Sequence, residues 1–530
     1  MRSATLVKVD SRWPITSDEI RSKITLRVPQ YLVNYYKLDP YWYNFGDIVG
    51  FSTADTKNWT VHADLTLDSH SRFEGEPNLE LKNSKFKIVG DLPMTIDNFT
   101  TNTEWNSNYS INKTSQILSG CDYIDVIGNC FHNVSISGER WLCMTLPFDT
   151  KVGNIVPVTD DVLFSIRYYD GAERAENGVG GSWKRIYDSE YVIPAGTGFI
   201  IQHSAGRYNT ATIQFKSLEN DSRKNALNNQ DFVKELALNS CVDKANSGWN
   251  LVGNPYMTYY NIHKLNFTAP ITVYDNSKDA YFAYSIADDD YALMPLEGFF
   301  VQCPGEEVQS IGFPVSGKQF TAEITEQNAS KARRAAEMQT RQLIDLTLSK
   351  GDVKDNTRIV FNQAASCGYE INCDASKFMS GNKKNVQLWT LDDEGTAYAI
   401  NERPIVDGVV ALGVTIPSAG SYTFAATRCQ AEGIILHDNE TGIDTDLTQS
   451  EYTFSASEGT FANRFEIRST SADATGIIDF ADSDIEGAKT IYSIEGRLVK
   501  KADKFFNVQS LPQGIYIINS NGTSKKVVIK

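Results

Sequence analysis

The one close pairing of a cysteine with a histidine in this chain is Cys130 with His132. On a strand, positions i and i+2 share a face, so a thiol and an imidazole at this spacing can meet. A thiolate activated by such a base is the core of cysteine-dependent acyl transfer. The local run, Cys-Phe-His-Asn, carries no further motif, and strand packing is the simpler reading. The remaining histidines, His62, His70, His203, His263 and His437, stand singly, without the HExxH or paired spacing that holds zinc. A glycosidase needs two carboxylates at a defined separation across a cleft, which order along a chain does not establish. Asp288-Asp289-Asp290 and Asp392-Asp393-Glu394 offer the hard oxygens that suit calcium, but neither has EF-hand spacing, and solvated turns account for both. No catalytic constellation, cofactor motif or metal site emerges, so a non-enzyme is expected.

Binding is the remaining chemistry. Exposed aromatic rings stack on sugars, and Trp183, in a Gly-Gly-Ser-Trp-Lys run, is the candidate for such a contact with a glycan or host-surface ligand. Trp141, Trp249 and Trp389 begin or sit within apolar strands and are expected in cores. The formal charge of −16, from 50 Lys+Arg against 66 Asp+Glu, excludes nucleic acid as a partner, because phosphate binding calls for a clustered basic surface. No run approaches the roughly 20 apolar residues of a membrane span. Residues 1–10 contain no apolar leader core, so for an exported protein the chain reads as the C-terminal piece, or a misplaced start, of something longer. Eight cysteines are too few for a disulfide scaffold; Cys121 with Cys130 and Cys367 with Cys373 are each either a short-loop disulfide or buried thiols.

The elements that must position these residues are strands. Aromatics make up 11% of the 530 residues, with 25 Tyr and 26 Phe, a composition that favours sheets over helix bundles in a chain long enough for several domains. Residues 17–28 show a weak helical pattern, and the Tyr-rich 31–43 stretch reads as strand or packed loop. From about Lys57, short runs alternate polar and apolar with Asn, Asp, Gly and Ser between them. Such runs at 10–20-residue spacing are either the last rungs of a β-solenoid or an ordinary antiparallel sheet.

Residues 141–317 contain a diverged repeat. One copy opens on Trp141 and Pro147-Phe148, passes Tyr169-Asp170, and closes on Pro194, Gly198-Phe199 and Gln202. The other opens on Trp249 and Pro255-Tyr256, passes Tyr274-Asp275, and closes on Pro295, Gly298-Phe299 and Gln302. Two copies each supplying a few strands are expected to complete one sandwich. Residues 318–341, rich in Ala, Lys, Arg and Glu without a wide apolar face, read as an exposed linker open to trypsin at Lys331, Arg333, Arg334 and Arg341. Eight short strands over 342–470 predict a further β-sandwich.

In the last segment, 471–530, Glu495-Gly496 and Asn521-Gly522 mark hairpin turns between alternating strands. Its Tyr492, Gly496-Arg497, Leu511-Pro512, Gly514, Tyr516 and terminal Lys525 and Lys530 resemble the C-terminal sorting domain of substrates of the type IX (Por) secretion system of Bacteroidetes. The middle, around 169–175, 248–256 and 452–454, is similar to C-terminal modules of large Bacteroidetes surface proteins, to which no activity attaches. The resemblance implies an Ig-like sorting domain read by the type IX machinery and an extracellular or outer-surface address. The whole is therefore expected to be all-β and multidomain: a β-rich region over 1–140, tandem sandwiches over 141–317 and 342–470, and the sorting domain. Its expected function is adhesion, binding or a structural stalk. The alternative is the C-terminal part of a secreted protease or polysaccharide-degrading enzyme whose catalytic domain precedes residue 1.

Overall fold

The computed structural model describes residues 17–51, 57–67, 75–90, 94–120, 124–138, 140–179, 181–204, 209–219, 229–324, 341–404, 409–431, 433–469, 489–493, 497–502, 511, 514–520 and 523–529. Nearly all the regular structure is strand, and the chain divides near residue 328 into two compact units. Among the described residues, no helix is long and apolar enough to cross a membrane.

The alternating runs after residue 57 are rungs of a parallel solenoid. Trp59 pairs with Leu79, Leu79 with Phe99, and Phe99 with Cys130, all in parallel. Two more parallel ladders form the other walls. One joins Leu65–Leu67, Lys85–Ile88 and Gln116–Ser119, and the other joins Met94–Ile96 to Ile124–Val126. A tight hairpin cannot connect parallel strands, so the chain circles three walls before returning to the first. Asparagines at one corner are stacked: Asn78 Nδ2 donates to Asn58 Oδ1 and Asn98 Nδ2 to Asn78 Oδ1, both at 2.8 Å, while the Asn129 backbone N–H donates to Asn98 Oδ1 at 2.9 Å. The side-chain oxygens of Asn58, Asn78 and Asn98 thus each accept from the next rung, which holds register where an alternating pattern alone could slip.

The solenoid has no core boundary at residue 140. Thr210–Lys216, from the first copy of the repeat, pairs antiparallel with Cys130–Ser137 and continues the solenoid's sheet. One apolar cluster runs from Val61 through Phe99, Ile136 and Leu146 to Phe215. The second copy packs largely around its own cluster, including Phe232, Tyr260, Ile271, Phe299 and Phe313. The single sandwich expected over 141–317 is therefore two structures, the first fused to the solenoid. Accordingly, a chain beginning at Trp141 should lose the cooperative unfolding of the first copy, because Thr210–Lys216 would lose its long partner Cys130–Ser137 and keep only the two-residue pairing with Val156–Pro157. Circular dichroism melts against the full chain check this; an unchanged first transition would mean that the copy closes its own core.

The repeat is nevertheless real in topology. The first copy orders its sheet Leu142–Met144, Phe199–His203, Phe164–Tyr169, Trp183–Arg185; the second orders Trp249–Gly253, Gly298–Gln302, Ile271–Asp275, Ala280–Tyr284. The copies meet reciprocally: Met144 bridges to Glu297 and Val252 to Thr197, equivalent positions exchanged. Thr145 N donates to Leu296 O and Gly253 N to Gly196 O, both at 2.9 Å. Such exchange is the mark of a pseudo-two-fold axis. It also explains the recurrent Gly-Phe: a Cβ on Gly198 would lie 2.4 Å from Leu251 Cγ, and one on Gly298 would lie 2.8 Å from Cys143 Sγ.

At the N-terminus the expected elements are found only in part. Residues 18–21 form one helical turn and Thr25–Pro29 a strand parallel to Asp47–Phe51, whereas the Tyr-rich stretch holds the helix Val33–Leu38. Buried Tyr36 and Trp42 anchor that helix, so tertiary packing overrides the low helix propensity of its aromatics.

In the second unit, all eight expected strands are present, joined by Ala375–Ser376, Ala397–Arg403 and Ile443–Asp446 in one eleven-stranded sheet. The sheet curls around a single core: the Phe454 ring lies 4.7 Å from that of Phe465, on strands that do not pair. Its buried charges are matched, Arg358 with Asp345 at 2.6 Å, Lys377 with Asp355 at 2.5 Å, and Arg464 with Asp438 at 2.9 Å. The linker is shorter than expected. Lys318–Gln319 pairs with Tyr259–Tyr260, and Arg341 opens a strand with its guanidinium on Glu402 at 2.6 Å, which removes Arg341 as an open tryptic site. Lys331, Arg333 and Arg334 lie outside the described residues.

Candidate functional site

Of the sorting-pattern residues, Tyr492, Gly514, Tyr516 and Lys525 lie on one four-stranded antiparallel sheet, ordered Leu498–Ala502, Lys489–Ser493, Gly514–Ser520, Thr523–Ile529. Tyr492 is half-buried on a central strand opposite Ile517; Ser493 faces Tyr516. Tyr516, Ile518, Ile491 and Leu511 are buried, while Arg497 is exposed, its carbonyl accepting from Ser493 N at 2.8 Å. Gly514 begins one strand and Lys525 lies in its neighbour; Ser520 pairs directly with Thr523 across a two-residue connection, as a hairpin at Asn521-Gly522 requires. Gly496, Pro512 and Lys530 lie outside the described residues.

Cys130 and His132 do share a face, and it is the inner one. His132 is fully enclosed with Nδ1 2.9 Å from Thr101 Oγ1, and burial lowers its pKa to about 3. An imidazole that stays neutral inside a solenoid core packs rather than catalyses. His263 and His437 pair with Asp290 and Asp444 at 2.9 and 2.6 Å, and His62 is exposed. The acidic runs serve turns: Asp288 and Asp289 accept from Ser285, and Asp392 accepts from Glu394 N, Thr396 N and the Tyr398 hydroxyl. No group of three His, Cys, Asp or Glu among the described residues is placed to hold a metal. Cys367 is an exposed free thiol, so its bridge to Cys373 is not formed; Cys121 lies outside the described residues.

Trp183 is not the free platform expected. It starts a strand in register with Tyr169, whose ring it meets edge-on at 5.2 Å, and it is half-buried. Trp249 and Trp389 are core residues as expected, but Trp141 is only half-buried, capped by the Arg167 guanidinium at 4.6 Å.

The site that sequence reasoning missed lies at one end of the solenoid sheet. There the strands Phe99–Trp105 and Cys130–Ser137 finish and Thr210–Lys216 begins, around a groove of about 640 Å³. Outward-pointing hydroxyls of Ser135, Ser137 and Thr210 form its wall; Ser137 meets Thr210 at 2.8 Å across adjacent strands, and Ser135 is held at 2.8 Å by Thr212 behind it. The amides of Asn106, Asn112 and Asn209 and the Glu104 carboxylate line it too, with Trp105 and His203, both largely buried, beneath. Gly138 turns the chain out of the sheet at φ 103°, where a Cβ would come 3.0 Å from the Tyr109 hydroxyl. Alternation in 130–137 marks Ser135 and Ser137 as outward, but nothing in it brings Asn112 or His203 beside them.

No curated protein and no solved structure matches the chain. Residues 257–469, from inside the second copy of the repeat to the last strand of the curled sheet, match the model of a domain of unknown function (DUF8693).

Proposed function

We propose that this chain is a secreted or cell-surface, non-catalytic protein, a binding or structural element, exported through a type IX secretion system by its last 60 residues. The observation that carries the reading is that Tyr492, Gly514, Tyr516 and Lys525, four residues of the sorting pattern, lie on one antiparallel sheet that follows the curled sheet in the chain. His132, His263, His437, the acidic runs and the buried ion pairs described above are engaged in packing, pairing and turns, which favours binding over catalysis. Removing residues 488–530 should leave the first unit and the curled sheet of the second folded but stop the protein reaching the outer surface. Full-length and shortened chains, each carrying the same N-terminal export leader, would be compared by fractionation in a bacterium with type IX machinery. The shortened chain should stay in the periplasm; its appearance at the surface in undiminished amount would end this reading.

A further inference from the structure

We infer that the groove at the end of the solenoid sheet binds a neutral saccharide. The inference rests on the reading of this chain as a binding protein, but not on its route of export. The groove is of the size that takes a small ligand, and its wall consists of hydrogen-bonding groups without net positive charge: the Ser137–Thr210 hydroxyl pair, the Ser135 hydroxyl and the amides of Asn112 and Asn209. Hydroxyls and amides both donate and accept, which matches a ligand whose own hydroxyls do the same. Glu104 adds acceptors that can take two hydroxyls together, with one oxygen already fixed by Asn83 Nδ2 at 3.0 Å.

His203 strengthens the case. Its Nδ1 lies 2.8 Å from the Ser204 carbonyl, which can only accept, so that nitrogen carries the proton in the neutral ring. The Nε2 lone pair is then an acceptor, and it has no hydrogen-bond partner among the described residues, although His203 is 3% exposed. His203 borders the groove, so a ligand hydroxyl that reached Nε2 would supply the donor it lacks, and enclosed acceptors left unmatched are costly. Other ligand classes fit less well. No described lysine or arginine lines the groove to hold phosphate or a uronic acid, one carboxylate does not make a cation site, and Trp105 is too enclosed to anchor a purely apolar molecule.

The test is saturation-transfer NMR on the full chain with neutral tetrasaccharides of glucose, galactose, mannose and N-acetylglucosamine, and with galacturonic acid oligomers as the acidic counterpart. At least one neutral sugar should receive saturation. The exposed double change Asn112→Ala/Asn209→Ala should weaken its binding by about tenfold, the loss expected for two hydrogen bonds. Ser137→Tyr, which fills the groove from an outward position, should abolish binding, whereas Thr60→Ala, elsewhere on the same sheet, should leave it unchanged. Failure of every neutral sugar, transfer to the acidic oligomers alone, or binding indifferent to both groove variants would each overturn the inference. Export of the chain is measured separately and is unaffected by any of these outcomes.

Discussion

Replacing Gly413 with valine should lower the unfolding midpoint of the second unit by roughly 10 °C, from a loss of about 3–5 kcal/mol, while leaving the first unit's transition in place. Gly413 pairs across the sheet with Trp389, and a Cβ there would stand 2.0 Å from indole Cε2 and 2.2 Å from Nε1. The indole is 5% exposed and has no other berth, so the added side chain either expels it or parts two central strands. Trp389→Ala alone should destabilise by emptying the same space. The double variant should be less harmful than the two single losses added together, because the valine occupies part of the vacated volume. Thermal unfolding of the three variants checks this; strict additivity would show that the two residues do not compete for one site.

The second large effect concerns pH and Glu297. This residue stands in the second copy where Thr197 stands in the first, at the pseudo-two-fold contact, and it is fully enclosed. Burial raises its pKa from the ordinary 4.5 to about 8, against the pull of the Met294 amide at 2.8 Å and the Tyr291 hydroxyl at 3.0 Å. A carboxyl raised in the folded state contributes stability that is complete below 4.5 and is lost as pH rises through about 8, since the unfolded chain ionises first. Glu297→Gln should therefore change little at pH 4 and stabilise the first unit by about 3–5 kcal/mol at pH 8 and above. The amide can replace the acid: its oxygen accepts from Met294 N while its nitrogen donates to Tyr291. His132 acts with the opposite sign, its pKa being lowered from 6.5 to about 3, so its contribution is complete above 6.5 and lost as pH falls toward 3. The two slopes cancel between pH 4.5 and 6.5, and first-unit stability contributed by this pair should plateau there and fall on either side. Difference melting curves of Glu297→Gln against the parent from pH 4 to 9 provide the measurement; a gain at pH 4 equal to that at pH 9 would remove the ionisation argument.

Much of the architecture was legible in the residues. Every strand expected between 342 and 470 exists because alternation and turn chemistry are local, and the landmarks of the repeat correspond to strands in the same order in both copies. The solenoid was left open for a definite reason: alternating burial is the same whether neighbouring strands run parallel or antiparallel, and only the pairing of Leu79 with Phe99 and Phe99 with Cys130 distinguishes them. Trp183 was misplaced because a Gly-rich run suggested an open loop, while its environment comes from Tyr169 and Phe300, 14 and 117 residues distant in sequence.

By itself, then, the order of residues determined the strand content, the duplication, the hairpin-rich tail and the lack of a local catalytic motif, because each depends on neighbours within a few positions. Tertiary structure alone decided that the first copy shares the solenoid's core, that Glu297 is sealed at the contact between copies, and that Asn112, Ser137 and His203 border one groove. These depend on which distant strands pair, and a period of two records the face on which a side chain lies but not the strand beside it.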